Sequence, residues 1–191
     1  NAGQFVLVGL SATVSEENNF IEVKKFTGHE ERTKILIDRT GKEIDIEFRY
    51  FDNHKNEELP VELLDNLFEE TKDSKVLIFP NSRGKAEEVA VKLKRIALRE
   101  KGHNNYFSHH SSVNKAVREY VEHFAKNNKR ENFSISCTST LELGIDIGTV
   151  DKIVQIDAAN SIASLIQRTG RSGRRDDQKS NLILYSTEEW S

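Results

Sequence analysis

Short strand-like runs separated by helix-like stripes are what most restrict the fold open to this chain. Phe5-Val6-Leu7-Val8 and Val76-Leu77-Ile78-Phe79 are apolar throughout, the pattern of strands buried on both faces. Further strands are predicted at Tyr106-Phe107-Ser108 and over 133–137, 152–156 and 181–185. Between them the apolar residues repeat at helical spacing. Leu63, Leu64, Leu67 and Phe68 follow Pro60, which suits a first helical position. Ala86, Val89, Ala90, Leu93, Ile96 and Ala97 make a second stripe, with a solvated Lys/Glu face opposite. Val113, Ala116, Val117, Tyr120, Val121 and Phe124 make a third, whose aromatics read as core. Strands taking turns with crossover helices imply an α/β fold with a mainly parallel sheet flanked by helices.

One early segment breaks that rhythm. Ile35-Leu36-Ile37-Asp38, the turn Arg39-Thr40-Gly41-Lys42, and an arm over 44–50 predict a β-hairpin. In its second arm Ile44, Ile46 and Phe48 face one way, and Asp45, Glu47 and Arg49 the other.

A chain of 191 residues accommodates one such domain, or one domain plus a fragment of another. Its 36% hydrophobic and 31% charged residues suit a globular domain and argue against spanning helices, so no membrane partner is expected. A net charge of -3 confines any polyanion-binding surface to a local patch. The single cysteine, Cys137, excludes an internal disulfide and a cysteine-based metal site, and fits a cytoplasmic location. Its place at the end of an apolar strand marks it as a core residue.

In an open parallel sheet, ligands gather at the carboxyl ends of the strands. Three such ends here run into polar, hydroxyl-bearing segments: Asn81-Ser82-Arg83-Gly84 after Phe79, Ser108-His109-His110-Ser111-Ser112 after Phe107, and Thr138-Ser139-Thr140 after Cys137. Each alone reads equally as helix capping, but three on one rim describe a shelf for a phosphodiester backbone. The adjacent His109 and His110 point to opposite faces of a strand, which disfavours a shared metal. One is expected on the rim and one partly buried, and no metal site is assigned.

A fourth segment, Gln167-Arg168-Thr169-Gly170-Arg171-Ser172-Gly173-Arg174-Arg175, spaces arginines by three. On a helical wheel over 162–174, Ile162, Leu165 and Ile166 form one stripe and Arg168, Arg171 and Arg174 the opposite face. That face reads either as a guanidinium fork for an anion or as a solvated cationic surface, partly neutralised by Asp176 and Asp177.

Taken together these segments resemble a known family. Leu10-Ser11-Ala12-Thr13 is similar to motif III of the superfamily 2 helicases, 76–83 to motif IV, 138–146 to motif V, and 167–174 to motif VI. The four stand in the family's order. The form Thr-Ser-Thr-Leu-Glu-Leu-Gly-Ile-Asp-Ile-Gly, with Gln167 where many DEAD-box proteins carry His, is most similar to Lhr-type DEAD/DEAH-box helicases. The resemblance implies a three-layer RecA-like domain, the second of two. Residues 1–14 would be the last strand of the first domain with motif III, 15–55 a linker and the hairpin, and 56–191 the second domain.

Carried over by position, the resemblance makes Arg174 an arginine finger with Arg171 beside it. Gly144, Asp146, Gln167 and Arg168 become nucleotide-facing, with Arg168 more a brace between domains than an ATP contact. Asn81, Ser82, Arg83, His110, Thr138 and Ser139 become contacts to the nucleic-acid backbone, and Ser11, Ala12 and Thr13 the coupling motif. ATP and Mg are the implied cofactors, held mainly by the first RecA-like domain, and single-stranded or duplex DNA or RNA is the implied partner. The chain has no G-x-x-x-x-G-K-[ST] and no DExH-like box, so by itself it is not expected to hydrolyse ATP. The alternative is a non-catalytic nucleic-acid-binding module derived from such a domain.

Overall fold

Pairing of the apolar runs organises the molecule. In the computed structural model, which describes residues 20–28, 30–37, 43–53, 58–138, 147–159, 161–170, 172 and 179–187, six strands form one sheet. They are β1 (Ile44–Tyr50), β2 (Lys75–Phe79), β3 (Tyr106–His109), β4 (Phe133–Cys137), β5 (Lys152–Ile156) and β6 (Ser180–Ser186). Their spatial order is β1-β6-β5-β2-β4-β3, and every pair is parallel. Parallel neighbours cannot be joined by tight turns, so helices carry most of the returns. These are α2 (Val61–Thr71), α3 (Arg83–Ala97), α4 (Lys115–Asn127) and α5 (Ile162–Thr169). Contacts divide the chain into two compact units, Asn1–Gly41 and Lys42–Ser191, and the sheet lies in the second. In the first unit the described residues hold α1 (Ile21–Thr27), ended by Gly28 at φ 69, and a 3-10 turn at Glu30–Arg32.

The period of two along each strand sorts side chains into two cores. Val76, Ile78, Val154, Ile156, Ile183 and Tyr185 meet Leu63, Leu67 and Phe68 of α2 and Val89 and Leu93 of α3. Leu77, Phe79, Phe133, Ile135, Cys137, Ile153 and Leu182 meet Val121 and Ala125 of α4, with Leu165 of α5 against them. The helices therefore form the outer layers, two to a face, as the α/β expectation required. Cys137 is fully buried, its thiol directed at the Ile78 carbonyl oxygen at 3.5 Å.

Three expectations are corrected. Among the described residues no hairpin forms: residues 33–37 hold no strand, and β1 pairs in parallel with β6, Ile44 opposite Ser180 through Tyr50 opposite Ser186. The strand over 44–50 therefore belongs to the compact unit that holds the sheet, Lys42–Ser191. Alternation in β1 was legible but its polarity was not. Ile46 and Phe48 are 49% and 68% exposed, while Arg49 lies beneath α2, bonded to Asn66 and paired with Glu70.

The α4 stripe is only half core. Val121 and Ala125 are buried, but Val117 and Tyr120 are exposed. The edge strand β3 offers no further sheet beneath the outer half of the stripe; Tyr120 stacks on Phe124, and Phe107 meets both rings edge to face. The third correction concerns the arginine helix. It ends at Thr169 with the Gly170 N–H bonded back to Ile166, and Ser172 bridges to Val150, so the helical wheel holds through Thr169 only; Arg171 and Arg174 lie outside the described residues. The expected strand at Phe5–Val8 lies outside the described residues.

Candidate functional site on the carboxyl rim of the sheet

Strand order decides which loops are neighbours. Because β2, β4 and β3 are adjacent, the segments after Phe79, Cys137 and His109 leave the same rim side by side. Pro80 stops β2, and Asn81, Ser82 and Arg83 follow, all exposed. Ser82 caps α3, its hydroxyl oxygen accepting the Lys85 N–H at 3.1 Å. Arg83 Nη1 donates to the Ser112 hydroxyl at 3.0 Å and so joins the loop after β2 to the loop after β3. Asn114 caps α4 through Ala116 N–H at 2.9 Å. Thr138, half-buried, donates its N–H to the His109 carbonyl at 3.3 Å. This half of the rim presents a guanidinium, hydroxyls and helix N-termini, the groups that hold phosphate without reading a base.

The histidines depart from expectation. Both are buried. His109 Nε2 lies 2.8 Å from Glu122 Oε1 in a hydrogen bond. His110 Nε2 lies 2.9 Å from Glu87 Oε1, out of line for a hydrogen bond, and neither ring nitrogen of His110 has a bonded partner. His110 therefore does not present its ring on the surface as a strand contact would; the β3 end turns inward toward α3 instead. Among the described residues no group of three His, Cys, Asp or Glu could hold a metal ion.

The other half of the rim lies at the ends of β5 and β6, under α5. Ser161 caps α5, its hydroxyl accepting the Ser164 N–H at 3.1 Å. Arg168 does not join an outward fork. It is buried, its guanidinium lying 4.6 Å above the Phe79 ring and donating to the Gln155 side-chain oxygen. Both partners belong to its own sheet and not to another domain. Gln167, one residue earlier, is half-buried. Arg171, Arg174, Gly144, Asp146, Ser139, Ser11, Ala12 and Thr13 lie outside the described residues.

Sequence reasoning missed two residues here. Asp157, just past β5, stands at φ 59, a left-handed conformation that strains a non-glycine residue by roughly 1–3 kcal/mol. Its Oδ1 accepts the Thr187 N–H and hydroxyl, each at 2.8 Å, and its Oδ2 accepts Lys85 Nζ at 3.0 Å. Gln155 is 1% exposed and bonded on both sides of its carboxamide. The available signal was a glutamine in an otherwise apolar stretch of strand. Gln155 and Asp157 line a cleft of about 340 Å³ whose apolar walls include Phe48, Tyr50, Leu165 and Leu184.

Residues 55–176 match the helicase conserved C-terminal domain. The chain is 35% identical over 188 residues to the ATP-dependent helicase Lhr-Core of Methanocaldococcus jannaschii, covering 94% of this chain and 21% of the relative. It is 33% identical over 196 residues to the Lhr-Core helicase of Saccharolobus solfataricus, covering 97% and 22%. Among solved structures, Mycobacterium smegmatis helicase Lhr bound to ssDNA and AMP-PNP superposes with a TM-score of 0.66 at 29% identity, covering 78% of this chain and 20% of that one. The chain spans about a fifth of the length of the curated relatives it matches. With its parallel RecA-like sheet and its ordered motifs, and with its similarity to Lhr-type helicases, this chain belongs to the helicase C-terminal domain family of superfamily 2.

Proposed function

We propose that this domain is the second RecA-like half of an ATP-dependent nucleic-acid helicase or translocase. The observation that carries the reading is the grouping of Asn81, Ser82, Arg83 and Thr138 on neighbouring strand ends of one rim; in the sequence, Arg171 and Arg174 follow α5. The first group grips a nucleic-acid backbone through phosphate, which holds a strand without selecting its sequence. Relatives named as ATP-dependent helicases, and a similar protein solved with ssDNA and AMP-PNP, support both halves of this assignment.

ATP, with its Mg, supplies the phosphoryl group whose cleavage drives opening and closing of the two domains. The chemistry of this chain fits that partner. Arg168 is committed to Gln155 and Phe79, which leaves Arg171 and Arg174, beyond the helix end, as the arginines for the cleft between domains. Arg174 acts as the finger that stabilises charge developing on the transferred group, with Arg171 beside it. Gly144 and Asp146 approach the same nucleotide. The first RecA-like domain, not this one, carries the phosphate loop.

The test is Arg174→Ala in the intact helicase. Nucleic-acid-stimulated ATP turnover should fall on the order of 10³-fold, while ATP still binds. Unchanged turnover sinks the finger assignment. Strand binding without any ATP turnover in the parent protein points instead to a non-catalytic binding module.

A further inference from the structure

On α3, Arg83 and Glu87 stand one turn apart, the spacing at which opposite charges pair along a helix. Here each reaches across to the turn after β3 instead. Arg83 Nη1 donates to the Ser112 hydroxyl at 3.0 Å, and Glu87 Oε1 lies 2.9 Å from His110 Nε2. The two targets belong to one turn, closed by the Val113 N–H on the His110 carbonyl at 3.0 Å. His110 is 1% exposed, and neither of its ring nitrogens has a bonded partner. A neutral imidazole there keeps one N–H and one lone pair buried and unpaired, whereas an imidazolium meets the Glu87 carboxylate as an ion pair. The other charges that the first turns of α3 and α4 bring to this end of the sheet are engaged elsewhere or lie on the far face. Lys85 is paired with Asp157, Glu88 with Lys92, and Lys115 with Glu119. Glu122 is bonded to His109, on the opposite side of β3, and Arg118 stands one turn before it on α4. From β4 the α3 side receives the Ser134 and Ser136 hydroxyls and no charge.

We propose that His110 is a positioning residue for the strand grip, which holds Glu87 away from Arg83 when protonated and so makes the grip depend on pH. The proposal rests on the phosphate-holding role given above to Arg83. With His110 protonated, Glu87 is kept against the β3 turn, and the Arg83 guanidinium keeps its full charge for the strand. With His110 neutral, the Glu87 carboxylate is released to the neighbour it matches on the helix. An Arg83 paired with Glu87 is a weaker partner for phosphate. Local charge works in the same direction, because the proton on His110 adds one positive charge beside the rim. Histidine is the side chain whose charge changes between pH 5 and 8, so the grip is tight at the lower end of that range and weakens as pH rises. Neither His110 nor Glu87 touches the strand.

The experiment measures the affinity of the intact helicase for a fluorescently labelled single-stranded oligonucleotide, without ATP, from about pH 6 to pH 8 at constant ionic strength. The Kd of the parent should rise across that range. Other histidines of the protein add to that rise, so the comparison between variants decides. Glu87→Gln keeps the size of the side chain and removes the competitor for Arg83. It should bind roughly two- to fivefold more tightly than the parent at the upper end of the range, with a flatter pH profile. His110→Gln should hold the weaker grip at every pH. A merely structural role would weaken binding in both variants and leave the slope of the profile unchanged. A Glu87→Gln profile parallel to that of the parent overturns the proposal, as does weaker binding by Glu87→Gln at the upper end. Should His110→Gln fail to fold, Glu87→Gln carries the test alone, since the Glu87 side chain is 60% exposed. Arg83→Ala in the same titration separates the two ideas. If it binds as tightly as the parent, the phosphate role of Arg83 fails; if it weakens binding while Glu87→Gln keeps the parent's profile, only the link to His110 fails.

Discussion

Arg83 is exposed at the start of α3, and its hydrogen bond to Ser112 aims the guanidinium along the rim without burying it. A phosphate contact made from such a position is electrostatic and indifferent to base identity. Arg83→Ala should weaken binding about equally for strands of different sequence, and should lower the salt slope of log Kd by about 0.7 for a single strand. Titrations at several salt concentrations with two unrelated sequences check this; a strong dependence on sequence contradicts a backbone contact. Arg168 shows how differently an arginine of the same chain can be used. Its spacing from Arg171 and Arg174 suggested a common outward face, whereas it serves as a flat, charged plug between Gln155 and Phe79. Lysine cannot reproduce that geometry, because it offers neither the planar stacking surface nor the fixed fork of donors.

At the scale of elements, β1 is held to the rest of the sheet by a polar network beneath α2. Arg49 Nη2 and Lys152 Nζ reach the two oxygens of Glu70, at 2.9 and 2.6 Å, and the Tyr185 hydroxyl donates to Asn66 Oδ1 at 2.6 Å. Burial pushes the Glu70 carboxyl up, but the hydrogen bonds and charges of Lys152 and Arg49 outweigh it, and its pKa lies below the ordinary carboxylate value. Burial also raises the Tyr185 phenol, which stays neutral and able to donate. The sign for Glu70 follows from linkage: a depressed carboxylate contributes stability above its unfolded pKa and loses it as pH falls through the folded one. Urea unfolding followed from pH 7 down to about pH 3 should therefore show a steeper acid loss in the parent than in Glu70→Gln. Equal slopes would remove Glu70 from the network's energetics. The strand itself was legible from its alternation over residues 44–50. Its partner was not, because β6 lies more than a hundred residues on, and nothing local distinguishes a hairpin arm from a parallel edge strand.

Across the whole molecule, the two faces of the sheet are unequal. The central strands are covered on both sides, whereas β1 leaves Ile46, Phe48 and Tyr50 exposed on the face opposite α2. Leu77 and Phe48 are thus opposite cases of an apolar strand residue. Leu77→Ala, at 0% exposure in the centre, should destabilise by about 2–5 kcal/mol, and Phe48→Ser, at 68% exposure, by about 0.5 kcal/mol or less. Chemical denaturation of both variants checks the contrast, and a comparable loss at Phe48 would mean that its face is covered in the folded chain.

The sequence by itself determined the element order from α2 onward, the parallel α/β class and the rim loops. These are written locally: apolar runs of strand length, helical stripes, and polar breaks after Phe79, Phe107 and Cys137. The tertiary structure decided the sheet order, the inward turn of Arg168 and His110, and the hydrogen bonds of Gln155 and Asp157. Each of these depends on pairs far apart in the chain, 13 residues for Arg168 and Gln155 and 74 for Gln155 and Asn81. A periodic pattern states which residues share a face. Only long-range strand pairing decides what that face meets, and so whether an arginine greets a phosphate or a phenylalanine.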